Sequence, residues 1–217
     1  MKGLHILVLT DHSGHSRENS LYGLLPALKQ HSDVAEVMVA SRGIKENQAF
    51  FAFEEERFIW AAPVTTNFSF SLSGDAYRTG LTRVPIQRFQ AVWLRLPPPL
   101  KADTIHFFTE VFKNQIVVNR PSGILESGSK AFLMQFPKIC PPMRLIHNKS
   151  ELLNMVQEMP TVLKPFREYG GRGIVKIDGD QVWQGKKQTT LHQFLQSLPG
   201  DDLEYLGVKF LKNVSKG

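Results

Sequence analysis

An α/β protein is the fold class this sequence predicts, with a parallel-sheet domain first and an α+β domain after it. Three observations predict it. Residues 5–10, His-Ile-Leu-Val-Leu-Thr, are a short apolar run ending in Asp-His-Ser-Gly, as a strand buried on both faces ends. Leu21, Leu24, Leu25 and Leu28 then recur at helical spacing behind Asn19 or Ser20 as a cap, and residues 34–40 read as a second strand, so the chain opens β-α-β. Far downstream, residues 161–164 and 173–178 read as the arms of an antiparallel hairpin around a glycine-rich turn.

The remaining elements follow in order. A β-α-β unit places its ligand at the carboxyl ends of its strands, which puts residues 11–19 at a candidate site. Between residues 41 and 90 the periodicity weakens. The aromatic residues there, Phe50, Phe51, Phe53, Phe58, Trp60, Phe68 and Phe70, lack interleaved basic residues and suit core packing better than base stacking. Residues 91–96 return as a buried strand and stop at Pro97-Pro98-Pro99, which cannot continue a ladder. Residues 104–112 predict a helix and 115–119 another strand. Arg120-Pro121-Ser122-Gly123 marks the expected boundary, giving domains over 1–120 and 121–217. Beyond it the sequence predicts a helix over 127–136, an extended Cys140-Pro141-Pro142, a short strand at 145–147 and a helix from a Ser150 cap to Glu158. A capped helix over 190–198 and a strand over 205–211 complete the pattern.

Composition limits the function classes. The chain has 217 residues, 42% hydrophobic and 21% charged, ordinary values for a globular protein able to bury a core. Its net charge of +6 fits an anionic ligand, but the basic residues are scattered. A solvated basic surface explains them better than a nucleic-acid patch, so neither nucleic acid nor membrane is an expected partner. The single Cys140 excludes an internal disulfide, and no apolar run approaches the ~18 residues of a membrane span. Nor do the first residues read as a signal peptide; a cytoplasmic location is expected.

The candidate chemistry lies in two lysines and a glycine cluster. Lys164 ends an apolar strand before Gly170-Gly171-Arg172-Gly173, and Lys130 follows Ser-Gly-Ser. Ammonium groups are point charges for phosphate oxygens, and glycines admit backbone N–H groups where a Cβ would collide. At ~4 Å and an effective dielectric of about 20, one such charge pair is worth roughly 4 kcal/mol before desolvation. Two lysines could hold a nucleotide. The run Gly123-x4-Gly128-Ser129-Lys130 approaches a P-loop, but Ser129 displaces the lysine and excludes that geometry. Likewise Gly170-Gly171-x-Gly173 lies in a hairpin instead of opening a helix, against a dinucleotide fold. His12-x-x-His15 has no companion ligand at metal spacing and reads as a polar loop. Arg95, ending a buried strand before three prolines, reads as an anion contact.

Taken together these segments resemble the ATP-grasp superfamily, and within it the bacterial glutathione synthetases. Ser16-Arg17-Glu18-Asn19-Ser20-Leu21 is similar to the family's Lys-Asp-Ser-Ser segment, and Trp93-Leu94-Arg95-Leu96-Pro97-Pro98-Pro99 to its Arg-x-Asp-Pro-Pro motif. Val118-Asn119-Arg120-Pro121 with Lys130-Ala131-Phe132 resembles Asn-x-Pro…Lys-Leu-Phe. Leu163-Lys164-Pro165 with Tyr169-Gly170-Gly171-Arg172-Gly173-Ile174 resembles the Leu-Lys-Pro…Gly-Gly hairpin. The resemblance implies a Rossmann-like pre-ATP-grasp domain followed by the first half of an ATP-grasp domain. It implies that Lys130 and Lys164 bind ATP phosphates, that a loop with Gly170, Gly171 and Gly173 closes over them, and that backbone groups of Val208, Lys209, Phe210 and Leu211 bond the adenine. Ser20 and Arg95 would hold a small carboxylate or peptide substrate. It further implies an ATP-dependent carboxylate–amine ligase working through an acylphosphate, with a homo-oligomer possible. The chain departs from the pattern at Pro97, Lys101 and Glu168. The acidic Mg²⁺ ligands are expected beyond residue 217, so this stretch alone is expected to lack turnover. The alternative is a non-catalytic remnant that binds a nucleotide or a partner.

Overall fold

The computed structural model describes residues 3–166, 168 and 170–211. The chain divides into two compact units, Met1–Gly128 and Ser129–Gly217. This division and the expected boundary after residue 120 differ by one helix.

In chain order the first unit has β1 (Leu4–Thr10), α1 (Leu21–Gln30), β2 (Val34–Ser41), α2 (Gln48–Phe51), β3 (Phe58–Pro63), β4 (Thr82–Pro85), β5 (Ala91–Arg95), α3 (Ala102–Val111), β6 (Ile116–Val118) and α4 (Pro121–Gly128). Its six strands lie in the order β4-β3-β2-β1-β5-β6. β1 pairs in parallel with β2 and β5, and β5 with β6. The expected parallel sheet is therefore a mixed one, because β3 and β4 run antiparallel. Those two strands come from the stretch with the weakest periodicity. They are fixed by a buried amide: Asn47 donates to the carbonyls of Ser41 and Trp60 at 3.1 and 2.9 Å and accepts from Trp60 N at 2.9 Å.

Each face of this sheet has its own core. Leu7, Leu9, Val92 and Leu94 pack with Phe50, Phe107, Phe108 and Phe112 on one side. Val8, Val37 and Val39 pack with Leu21, Leu25, Phe68 and Tyr77 on the other. Burying one such side chain fully contributes about 1.5–3 kcal/mol. The expected aromatic core thus includes Phe50 and Phe68. At the start of α1, Asn19 Oδ1 accepts from Leu21 N at 3.0 Å, whereas the Ser20 side chain does not cap.

The second unit holds β7 (Met143–Ile146), α5 (Lys149–Glu158), β8 (Thr161–Pro165), β9 (Val175–Asp178), β10 (Gln181–Gln184), β11 (Lys187–Thr190), α6 (Leu191–Ser197) and β12 (Tyr205–Lys209). The sheet order is β11-β10-β9-β8-β12-β7, with every pairing antiparallel. α5 and α6 cover one face through Leu152, Met155, Val156 and Phe194. Two expectations are corrected. The helix expected over 127–136 is a 3-10 segment, Lys130–Gln135, and the α-helix comes earlier as α4, with Pro121 in its first turn, where a missing N–H costs nothing. The cap of α5 is Asn148, whose Oδ1 accepts from Glu151 N at 2.8 Å, and not Ser150. The capped helix before the last strand is α6, closed by a Thr190–Gln193 capping box.

Candidate functional site

Each unit carries a candidate site at the end of a central strand. In the first, β1 and β5 lie side by side with Thr10 opposite Arg95. The loop after β1 leaves the sheet at Asp11, makes a 3-10 turn at His12–Gly14, and runs to α1 past Ser20. Arg95 Nη2 donates to Ser20 Oγ at 3.0 Å, so the two residues expected to hold an acid meet across 75 positions of sequence. The guanidinium also lies 5.5 Å from the Trp93 ring centre.

Below this pair is a polar cluster of which the sequence showed only His12-x-x-His15. His15 contacts Thr10 Oγ1 through Nε2 at 3.2 Å and Tyr22 OH through Nδ1 at 3.1 Å. His12 lies stacked on Tyr77, centroids 4.6 Å apart, and its Nδ1 is 2.6 Å from Ser41 Oγ. Ser41 Oγ already accepts from the N–H groups of His12 and Gly43, which leaves its hydrogen for the His12 ring. Gly74, at φ +71°, lies so close that a Cβ there would stand 2.6 Å from His12 Nε2. Burial lowers the pKa of both histidines. Asp11 opposes that shift, while Arg78 adds to it at His12, and His12 and Arg95 add to it at His15. Asp11 itself is pushed up by burial but ends below its ordinary value. Arg42, at 2.8 Å, and the N–H of Ser13 both hydrogen-bond its carboxylate. The two histidines therefore face different partners, and among the described residues no group of three or more His, Cys, Asp or Glu is arranged to hold a metal ion.

In the second unit, β8 carries Lys164 opposite Leu206 of β12. Lys130 opens the 3-10 segment behind a Ser129 cap, and its ammonium reaches the turn that leaves β8. It donates to the carbonyl of Pro165 and, at 2.5 Å, to that of Glu168. Partial burial lowers the pKa of Lys130; the Glu168 charge opposes this and the Lys164 charge adds to it. Lys130 thus reaches the carbonyl of the residue that follows Lys164. Gly170, Gly171 and Gly173 all adopt φ between +66 and +78°, a region that L side chains resist. At Gly173 a Cβ would also stand 2.9 Å from Pro165 Cγ. Glu168 pairs with Arg172 at 3.6 Å on the exposed surface. Tyr169, which belongs to the expected turn, lies outside the described residues.

The four residues expected at an adenine end β12 and its exit. Val208 is paired with Met143 and Val162 in the sheet, Lys209 donates to Pro142 O at 2.8 Å, and Phe210 donates to Pro160 O at 2.7 Å. Beside them the Lys176 ammonium lies 4.0 Å from the Phe210 ring centre and 4.7 Å from that of Trp183. No helix among the described residues is long and apolar enough to cross a membrane.

No family model matches the chain. In sequence it is similar to the glutathione synthetase of Nitrosomonas europaea, 26% identical over 167 residues that cover 70% of this chain and 52% of that protein. The glutathione synthetase of Anaplasma centrale is 28% identical over 126 residues, 56% of this chain and 41% of the other. That of Synechocystis sp. is 31% identical over 121 residues, covering 49% and 38%. The chain thus spans about half the length of the curated relatives it matches, or less. In fold it is similar to D-alanine-D-alanine ligase from Helicobacter pylori, with a TM-score of 0.51 and 11% identity over 97% of this chain and 67% of that one.

Proposed function

From a chain that is glutathione synthetase-like in sequence and ATP-grasp in fold, we propose an ATP-dependent carboxylate–amine ligase in which the second unit binds ATP and the first binds the acid. The observation that carries the reading is the approach of Lys130 to the end of β8, within reach of the Lys164 charge and beside three left-handed glycines. In this reading the ammonium groups hold the triphosphate, and N–H groups of the glycine turn close over it. Because Lys209 and Phe210 use their N–H groups internally, the adenine is held by other backbone groups around residues 208–211. Ser20 and Arg95 hold the acid. Arg95 has donors beyond the one it gives Ser20, and Ser20 keeps its hydroxyl hydrogen.

The reaction class follows. A carboxylate oxygen of the acid attacks the γ-phosphorus and ADP leaves; an amine then attacks the acyl carbon, phosphate leaves, and an amide remains. Charge stabilisation of the transferring phosphoryl group is the main requirement, and fixed ammonium groups meet part of it. Mg²⁺ accompanies ATP in this class. Among the described residues no group of three or more His, Cys, Asp or Glu is arranged to hold it, and what they supply in this reading is binding and positioning. In this reading the part this stretch plays is nucleotide binding and placement of the acid.

Titration of the chain with a non-hydrolysable ATP analogue tests the reading. Lys164→Ala should weaken binding roughly 10- to 100-fold, the worth of a charge-assisted hydrogen bond. Unchanged affinity would refute the assignment. A second reading, a binding module without chemistry, is favoured by the engagement of Lys130 with the Pro165 and Glu168 carbonyls. Phosphate release against a panel of amino acids and dipeptides separates the two.

A further inference from the structure

His15 is the middle of a hydrogen-bonded chain. Tyr77 OH donates to Tyr22 OH at 3.2 Å. Tyr22 OH meets His15 Nδ1 at 3.1 Å, and His15 Nε2 meets Thr10 Oγ1 at 3.2 Å. Thr10 Oγ1 in turn donates to the carbonyl of Arg95 at 3.2 Å. A hydroxyl has one hydrogen to give. That of Thr10 goes to Arg95, so Thr10 accepts from His15 and the ring proton is on Nε2. Nδ1 must then accept, and Tyr22 is its donor. With its hydrogen so engaged, Tyr22 can only accept from Tyr77. The direction is consistent from end to end.

Only the neutral ring allows that order. A second proton, on Nδ1, would face two phenol oxygens, those of Tyr22 and of Tyr77 at 3.3 Å, with hydrogens already directed at it or at each other. Thr10 and Tyr77, at 0% and 1% exposed, have no bulk water to replace a partner lost there, while His15 and Tyr22 are half-buried. One end of the relay and its middle bear on the proposed acid site. One end grips the main chain of Arg95. The ring itself ties down the loop that reaches Ser20 five residues later.

We propose that His15 is a positioning residue: through this relay it docks the Ser20 loop and the Arg95 end of β5 onto the sheet, and it holds the Ser20–Arg95 pair in its acid-binding geometry only as the neutral Nε2–H tautomer. The proposal rests on the acid-site reading above. Besides the two phenols, the groups whose charge reaches the ring are His12, Asp11 with its partner Arg42, and Arg95. Burial, His12 and Arg95 favour the neutral ring and Asp11 opposes them. As pH falls below the ordinary histidine range, the relay reverses at Nδ1 and the pair is released.

The experiment uses the whole chain, long-range ¹⁵N–¹H spectra of its imidazoles, and glutarate as a plain dicarboxylate probe. The wild type should show His15 as the Nε2–H tautomer with a depressed titration midpoint, and glutarate affinity should fall with that same midpoint. Thr10→Val, which keeps the shape and removes the hydroxyl, should weaken glutarate about five- to tenfold at neutral pH, the effect of one buried hydrogen bond. Thr10→Ser should restore it. Tyr22→Phe should raise the Nδ1–H population and move the midpoint. An Nδ1–H ring in the wild type, or a folded Thr10→Val chain that binds glutarate within twofold of wild type, would overturn the proposal. If the wild type binds no glutarate at all, the acid-site reading fails. The relay is then decided by the tautomer and by amide exchange at Ser20 and Arg95, and unchanged exchange in Thr10→Val and Tyr22→Phe overturns it.

Discussion

The two candidate sites are built on opposite principles. At the carboxyl edge of the first unit the polar groups face inward. Thr10, Ser41 and Asn47 are buried to 1% exposure or less, and the Asn47 amide makes three hydrogen bonds. The turn after β8 in the second unit is exposed at Glu168, Gly170, Gly171, Arg172 and Gly173. Its shape comes from backbone conformations open to glycine and from one ammonium on two carbonyls. The first arrangement is a rigid seat whose groups are costly to disturb. The second is a loop with little buried area, able to rearrange around an anion. The seat suits a selective partner and the loop suits a phosphate chain. Substitutions in the first should therefore register as lost stability, and those in the second as changed affinity.

The sharpest way to break that contrast is Asn47→Leu. The change removes both bonds to Trp60 and the bond to the Ser41 carbonyl; that carbonyl still accepts from Ile44 N at 3.1 Å, but the Trp60 N–H and carbonyl of β3 lose their side-chain partner. A loss of about 2–3 kcal/mol is expected, read as a lowered urea midpoint at unchanged slope. Lys164→Ala in the same assay should leave the midpoint nearly where it was. A silent Asn47→Leu would show that the first unit tolerates open polar groups after all.

A smaller effect follows from pH. His12 and His15 have folded pKa values below the ordinary 6.5, with burial as the main cause. Above that value both states are neutral at these rings and stability is unaffected. As pH falls from about 6.5 toward the folded values, the unfolded chain takes up protons that the folded chain refuses, so stability declines. Asp11 acts lower, since its folded pKa lies below the ordinary 3.8 and its contribution is lost only at more acid pH. Urea midpoints at pH 7.5 and 5.5 should therefore differ in the wild type and converge in a His12→Asn, His15→Asn double variant.

The contrast also marks what could be read from the sequence. β1, α1, β2 and β5 were legible because their signal is local: an apolar run, a 3.6-residue stripe, a cap. Lys130 and Lys164 were noticeable because their neighbours, Ser-Gly-Ser and Val-Leu-Lys-Pro, are distinctive within a few residues. The antiparallel β3 and β4 were not legible. Phe58, Ile59 and Trp60 do not alternate in polarity, and their placement depends on an amide 13 positions away. The helix beginning at Pro121 was obscured because proline reads as a breaker, although its missing N–H is harmless in a first turn. The relay around His15 was beyond reach for a different reason. Its partners lie 55, 62 and 85 positions apart, and nothing local distinguishes a histidine that will meet two tyrosines from one in a solvated loop. His12-x-x-His15 was the only visible trace, and it carries no direction.

The smallest expected effect sharpens the contrast from the loop side. Glu168 places a negative charge against Lys130, and that charge raises the lysine's pKa while burial and Lys164 lower it. Its ion pair with Arg172, at 3.6 Å between exposed side chains, adds little to stability. For the phosphate ligand proposed above the carboxylate would also be a repulsive neighbour. Glu168→Gln keeps the shape and removes the charge, so it should leave the urea midpoint unchanged and tighten binding of a non-hydrolysable ATP analogue by about two- to fivefold at low salt, the scale of one screened charge. The gain should shrink as salt is added, because the interaction lies within solvent. Weaker binding in Glu168→Gln would mean that the carboxylate orders Lys130 or Arg172 for the ligand. The loop would then be a preorganised seat like the first unit's edge, and the distinction between the two sites would fail.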